Sequence, residues 1–402
     1  MLSVLANNIT PRLKYVLDFC FTQKGEPYNF IAEKTGDNRF LDLSDLDSEI
    51  LSDSSSNKSF NLSKDGDQLL LNGKVDTLGT IFYLLSRYEE YGDYEKDEHG
   101  RYLSAQHSLV RLDLHLTPVV DLIVRDLWDQ IGLDYSKVQR NYVFTPSFDI
   151  DIAWAFKNRG VMRQLGSVVK HGKAGERIKV FRNKAKDPYD TYDEIKRIGE
   201  LSGNMKLFFL LGDGGKYDKN ISHKNSSLKN LINDLDQISE VGIHPSYASY
   251  LSVAKIKEEK ARLEKIMGKE VNISRQHFLK LEIPNSYQTL LKAGMNEDYT
   301  MGFVDDVGFR AGTSFPFFFF DLEKNEVTDL RVHPYAYMDG TFMQYLELNP
   351  VQSKPTIAQL INEVKEVGGE FISIWHNSSI NDYEDWQGWK EVFDFTIEKG
   401  LS

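Results

Sequence analysis

From Tyr142 onward the chain alternates short apolar runs with helical patterns, and this alternation restricts the possible folds more than any other feature. Tyr142–Phe144, Lys206–Leu211, Val241–His244, Val271–Arg275, Tyr299–Val304 and Phe371–His376 read as strands. Between them, Thr191–Glu194 forms a capping-box pattern ahead of a helix ended by Gly203. Ser227–Glu240, Lys255–Met267 before Gly268, Pro284–Ala293 before Gly294, Pro355–Val367 and Glu384–Glu398 read as further helices. A parallel α/β architecture follows. No internal period points to a solenoid.

The predicted strands end in polar groups: Asp149 and Asp151, His244, Arg275 and His277, Asp305 and Asp306, and His376. In α/β barrels and open sheets, reactive side chains collect at the carboxyl ends of the strands, so one site could gather them all. Asp149 and Asp151 are two residues apart on an extended chain and point to one side, where one can hold a cation while the other accepts a proton. Each residue also has a plain structural explanation: a strand-end Asp turn, a capped histidine at 244, a core histidine at 376. Together they suit a hydrolase, with carboxylate and imidazole ligands, a free carboxylate as base, an arginine to hold it and a histidine to protonate a leaving group.

The first 140 residues read differently. A helix near Arg12–Phe21 precedes an Asp/Ser-rich tract over Asp42–Asp67, the strand Gln68–Leu71 and helices over Thr77–Tyr91 and Pro118–Ile131. Ser86–Tyr91 reads as a solvated helix end. The polar connector Asp134–Asn141 places a boundary between an N-terminal α/β accessory domain of unknown function, 1–140, and a second domain, 141–402.

A net charge of −12 and a pI near 5.3 argue against nucleic acid as a general partner. The single cysteine, Cys20, reads as a buried thiol and ties the chain to no oxidising compartment. No apolar run approaches the ~20 residues of a membrane span. Met1–Phe21 is too polar for a signal-peptide core, so a cytoplasmic location is expected. Composition leaves the oligomeric state open.

Over about Tyr142–Ser402 the chain resembles the polysaccharide deacetylases of carbohydrate esterase family 4. The resemblance is carried by Ser147-Phe148-Asp149-Ile150-Asp151, a variant of that family's Thr-Phe-Asp-Asp strand end, and by His244-Pro245-Ser246-Tyr247, Gly308-Phe309-Arg310-Ala311-Gly312 and Trp375-His376-Asn377-Ser378. A subgroup with an N-terminal α/β domain shares the last three signatures; Ser86–Glu90 extends the likeness weakly into the first half. The resemblance implies an irregular (β/α) barrel, a divalent metal such as zinc, and removal of acetyl groups from an N- or O-acetylated sugar or polysaccharide. It implies Asp149 as general base, Asp151 and His244 as metal ligands, Arg275 orienting Asp149, and His376 as general acid. The family's second metal histidine falls on Ala248; His277 is the substitute candidate and Ser246 a weaker one. Asp305 and Asp306 are candidates to orient Arg275 or His376. Ser246, Tyr247, Asp306, Arg310 and Trp375 form the expected substrate-binding set, with a structural ion pair as the alternative for Arg310. Lys157–Lys186, with ten Lys or Arg and one acid, Glu176, reads as a solvated insertion or a surface for an anionic partner.

Two rivals remain. A haloacid-dehalogenase-like phosphatase would use Asp149 and Asp151 with Asp213 and Asp218. A glycan-binding relative would keep the barrel without turnover.

Overall fold

The computed structural model describes residues 1–33, 39–55, 58–158 and 174–402. Half of the basic stretch 157–186, residues 159–173, lies outside the described residues.

In the first half, β1 (Leu2–Ala6) pairs in parallel with β2 (Tyr28–Ile31) and β3 (Phe40–Leu43), and β4 (Leu62–Asp65) forms an antiparallel hairpin with β5 (Gln68–Leu71). The helix Pro11–Cys20 starts where the Thr10 hydroxyl accepts the Leu13 N–H and Pro11 pre-sets the first turn. The expected helix over 77–91 stops at Leu85, because Arg87 adopts a left-handed conformation (φ 54°). Ser86–Tyr91 is therefore not a solvated helix end. Arg87 and Glu90 are each 1% exposed, and Glu90 accepts hydrogen bonds from both Arg87 and Arg310.

The main sheet has nine strands: β6 (Val143–Ile150), β7 (Lys206–Phe209), β8 (Glu240–Ile243), β9 (Ile273–Ser274), β10 (Glu297–Asp298), β11 (Phe317–Asp321), β12 (Glu326–Val332), β13 (Tyr337–Met338) and β14 (Glu370–His376). They run in the order β11-β12-β10-β9-β8-β7-β6-β14-β13. Every pairing is parallel except the hairpin β11–β12. A flat sheet would separate β6 from β9 by roughly 14 Å, three strand spacings. Arg275, just past β9, nevertheless reaches Asp149 on β6 at 2.9 Å, so the sheet curls around its carboxyl ends. Phe208, Ile273, Tyr299, Tyr335, Ile372 and Ile374 fill the concave interior. The parallel, curled sheet agrees with the expected α/β barrel class, although β11 and β13 end the pairing order without meeting.

Several elements differ from expectation. The strand expected at 299–304 is two residues long and lies earlier, at Glu297–Asp298. Beyond it, Asp298 turns the chain by accepting the Thr300 N–H and hydroxyl. The hairpin β11–β12 was unforeseen because Phe317–Phe320 offers no alternation. The capping box at Thr191 does not form; its hydroxyl donates to the Asn377 carbonyl instead.

The hydrophobic core runs across residue 141 without a break. One cluster contains Leu2, Leu17 and Phe82 from the first half and Phe320, Trp375 and Ile397 from the second. Tyr15 and Phe82 pack on Phe320 with ring centroids 5.2 and 5.1 Å apart. The Gly308–Gly312 signature forms the seat of this junction. Phe309 N–H donates to the His115 carbonyl, Val120 N–H donates to the Gly312 carbonyl, and a Cβ at Gly308 (φ 109°) would stand 2.2 Å from the His115 oxygen. Among the described residues no helix is long and apolar enough to cross a membrane.

Candidate active site

The curl brings the carboxyl ends of β6, β8, β9 and β14 together. Asp149 lies within β6 in register with His376, the last residue of β14. Asp151 follows the end of β6, His244 follows β8, and Arg275 and His277 follow β9. These residues line a pocket of about 290 Å³, except Arg275, which lies behind its wall.

Asp151, His244 and His277 each offer one ligand atom, all within 4.8 Å of one another. His244 Nε2 lies 3.3 Å from Asp151 Oδ1, and His277 Nε2 lies 3.5 Å from Asp151 Oδ2. Both imidazoles are fixed from behind: His244 Nδ1 meets the Arg275 carbonyl, and His277 Nδ1 meets Asp218 Oδ1 at 2.9 Å. Metal-binding histidines are usually oriented this way through their second nitrogen. Asp151 Oδ1 is buried without a hydrogen-bond partner, at a cost that a cation would remove. One carboxylate and two imidazoles suit a zinc-like ion with an open coordination position.

Charges in the pocket hold one another. Burial pushes the Asp151 carboxyl up, but His277, His244 and His376 outweigh it and keep the group well below the usual carboxylate range. Burial pushes His277 down, while Asp151 and Asp218 raise it to about 9. Asp218 is lowered in turn, against burial, by His277 and by the Tyr247 and Ala248 N–H groups. At position 248, where the family pattern has its second histidine, a backbone N–H thus anchors the carboxylate that aims His277.

Asp149 is 2% exposed and is held by Arg275, whose Nη1 donates to Oδ1 at 2.9 Å. Arg275 is itself fixed by Ser147 Oγ, the Tyr299 carbonyl and the face of Phe208. On the facing side, His376 Nδ1 lies 2.8 Å from Asp339, which also accepts the His376 N–H. Burial pushes His376 down, but Asp339, then Asp151 and Asp149, raise it to about 10. Its Nε2 lies 3.8 Å from Asp151 Oδ2. Sequence reasoning missed Asp339 and the role of Asp218. One follows a two-residue strand and the other sits in a loop, so neither carries a periodic signal.

The expected substrate-binding residues are not brought to this pocket. Ser246 bonds Glu259 and caps Ser249, which also engages it away from the metal position. Tyr247 packs on Tyr217 with centroids 4.4 Å apart and the rings tilted by 38°. Asp306 faces His115 at 3.5 Å, and Asp305 accepts the Ser104 N–H, so neither orients Arg275 or His376. Arg310 is 3% exposed and paired with Glu90, the structural alternative, because a guanidinium buried at the junction must be neutralised. Trp375 is fully buried against Tyr337 and Phe393. Instead, Phe278, Tyr345, Trp386 and Arg101 line the pocket. The phosphatase reading gains no support: Asp213 is 75% exposed and pairs with Arg262.

Residues 40–135 match DUF7033, a family of unknown function. No curated protein matches the chain. In structure it is similar to a Mycobacterium smegmatis protein assigned as a polysaccharide deacetylase, at 12% identity and a TM-score of 0.38, over 65% of this chain and 85% of that one. It is also similar to a family 4 carbohydrate esterase from Streptomyces lividans in complex with acetate, at 10% identity and a TM-score of 0.31, over 65% and 90%. A 4-alpha-glucanotransferase from Thermococcus litoralis is matched at 13% identity and a TM-score of 0.39, over 65% of this chain and 37% of that one. At these values the likeness assigns no activity to this chain.

Proposed function

We propose that the chain is a metal-assisted hydrolase that removes acetyl groups from an N- or O-acetylated sugar or polysaccharide. The observation that carries this reading is the Asp151–His244–His277 trio, set in one pocket with an arginine-held Asp149 and an aspartate-held His376. A divalent cation held by the trio would polarise the acyl carbonyl and favour attack by water. Asp149 takes the proton from the attacking water, and Arg275 keeps the carboxylate aimed until it does. His376, protonated at neutral pH, delivers its Nε2 proton to the departing nitrogen or oxygen as the acyl C–N or C–O bond breaks. Asp339 holds the ring so that this nitrogen faces the pocket. Acetate and the deacetylated sugar leave. Tyr345 and Trp386 on the wall offer apolar faces to a sugar ring.

The test pairs metal analysis of the purified protein with acetate release from acetylated oligosaccharides in the presence of Zn²⁺, Co²⁺ or Mn²⁺. Bound metal and released acetate are expected, both lost in His244→Ala and His277→Ala. Acetate release that persists in Asp149→Asn or survives complete removal of metal would refute the scheme. Sugar binding without acetate release in any metal-loaded preparation would favour the glycan-binding relative.

A further inference from the structure

Phe278 and Leu279, directly after the ligand candidate His277, both lie in the left-handed region, at φ 61° and 50°. Each such non-glycine residue costs about 1–3 kcal/mol and persists only where its surroundings over-determine it. The clamp on this turn comes from 177 residues earlier in the chain, within the segment that matches a family of unknown function. Arg101 Nη1 donates to the Phe278 carbonyl at 3.1 Å, and Arg101 Nη2 donates to the Tyr345 hydroxyl at 2.8 Å. Asp97 fixes the clamp from the other side, accepting the Arg101 Nε–H at 2.6 Å and the Arg101 backbone N–H at 2.8 Å. The His99 ring packs on Phe278 with centroids 4.9 Å apart. Arg101 is 6% exposed and stands on the pocket wall.

We infer that Arg101 is a positioning residue. By holding the left-handed turn at 278–279 it sets the aim of His277, and the N-terminal region is thereby a working part of the site. An arginine serving chiefly as an anion receptor would keep its fork free for ligand. Here Nε, Nη1 and Nη2 each already hold a protein acceptor, and Asp97 balances the charge. The inference rests on reading Asp151, His244 and His277 as a metal site. It also makes a claim about the turn that holds without metal.

Two measurements on the full chain separate these claims: calorimetric titration of the metal-free protein with Zn²⁺, and amide hydrogen exchange over 274–282 before any metal is added. Arg101→Ala is expected to weaken Zn²⁺ binding roughly 10–100-fold, the usual effect of losing an outer-shell partner. Exchange in the 274–282 peptide should accelerate while distant peptides stay protected. Adding Phe278→Gly to Arg101→Ala should recover part of the lost affinity, because glycine accepts positive φ without strain. Arg101→Lys keeps the charge and the stem but lacks the fork. It carries the same expectation if the alanine variant does not fold. Zn²⁺ affinity within twofold of wild type together with unchanged local exchange would overturn the inference, as would a double variant no tighter than Arg101→Ala. A wild-type protein that binds no Zn²⁺ would remove the metal reading, and exchange in the metal-free variants would still decide the role of Arg101.

Discussion

At the scale of single residues, the two carboxylates that no ligand need touch are the sharpest levers on the site. Asp218 aims His277, so Asp218→Ala should raise the Zn²⁺ dissociation constant about 10–100-fold in a calorimetric titration, while circular dichroism stays native. Asp339 holds the proposed acid, so Asp339→Asn should lower kcat about 10²-fold in an acetate-release assay with KM little changed, the signature of an interaction that matters only in the transition state. What sequence revealed at this scale followed a simple rule. Asp149, Asp151, His244, Arg275, His277 and His376 were legible because each sits at or just beyond the end of a strand with an apolar, repeating signature. Asp218, Asp339 and Arg101 were not, because they approach from loops and act on other side chains across long sequence separations, which no local pattern records.

At the scale of elements, the sheet is pinned below the site by a histidine held between carboxylates. His333, after β12, lies at ion-pair distance from Glu297 on β10 (2.9 Å) and Glu370 on β14 (3.0 Å) and stacks on Tyr299. Burial pushes His333 down, yet the two glutamates raise it above its usual 6.5; His333 leads the causes that lower Glu297 from 4.5 to about 2. The stability from charged His333 is full below 6.5 and fades as pH rises through the elevated value. The stability from Glu297 is full above 4.5 and fades as pH falls toward 2. The loss caused by His333→Gln should therefore peak between about pH 5 and 6. It should amount to about 2 kcal/mol in denaturant unfolding, a buried-pair value reduced because Glu297 is one-third exposed. The same logic, with burial nearly complete, applies to Glu90 and Arg310. Arg310→Met alone should cost about 3 kcal/mol, since it leaves buried Glu90 with Arg87 in place of two guanidinium partners, and Glu90→Leu added to it should recover part of that loss, with Arg87 still paired to Glu89. Element order was readable from periodicity, and the expected strand Val271–Arg275 contains β9, while β10 and β13 were not readable, because two-residue strands carry no period and are set by their neighbours in the sheet.

At the scale of the whole molecule, the described residues of the first 140 and of the remainder pack against one another. They share a hydrophobic cluster, the Gly308–Gly312 seat and the Glu90–Arg310 pair. Calorimetry of the full chain should accordingly show one cooperative transition. A fragment of residues 141–402, stripped of the cover over Phe320 and of the partner of Arg310, should show no cooperative transition of its own. The domain boundary drawn at the connector 134–141 follows composition, which reports where the chain is polar; packing across it is a separate matter that composition does not record.

The pairing of β14 with β6 joins Thr145 to Glu370 across 225 residues, and the His376 side of the pocket exists only once that pairing is made. During synthesis β6, which carries Asp149 and leads into Asp151, must therefore wait, with its β14 edge uncovered, until β14 leaves the ribosome. Long-range parallel pairing is slow and exposes unpaired edges to aggregation. Assembly of the complete pocket waits for β14, and the waiting edge of β6 is where a chaperone would have most to protect.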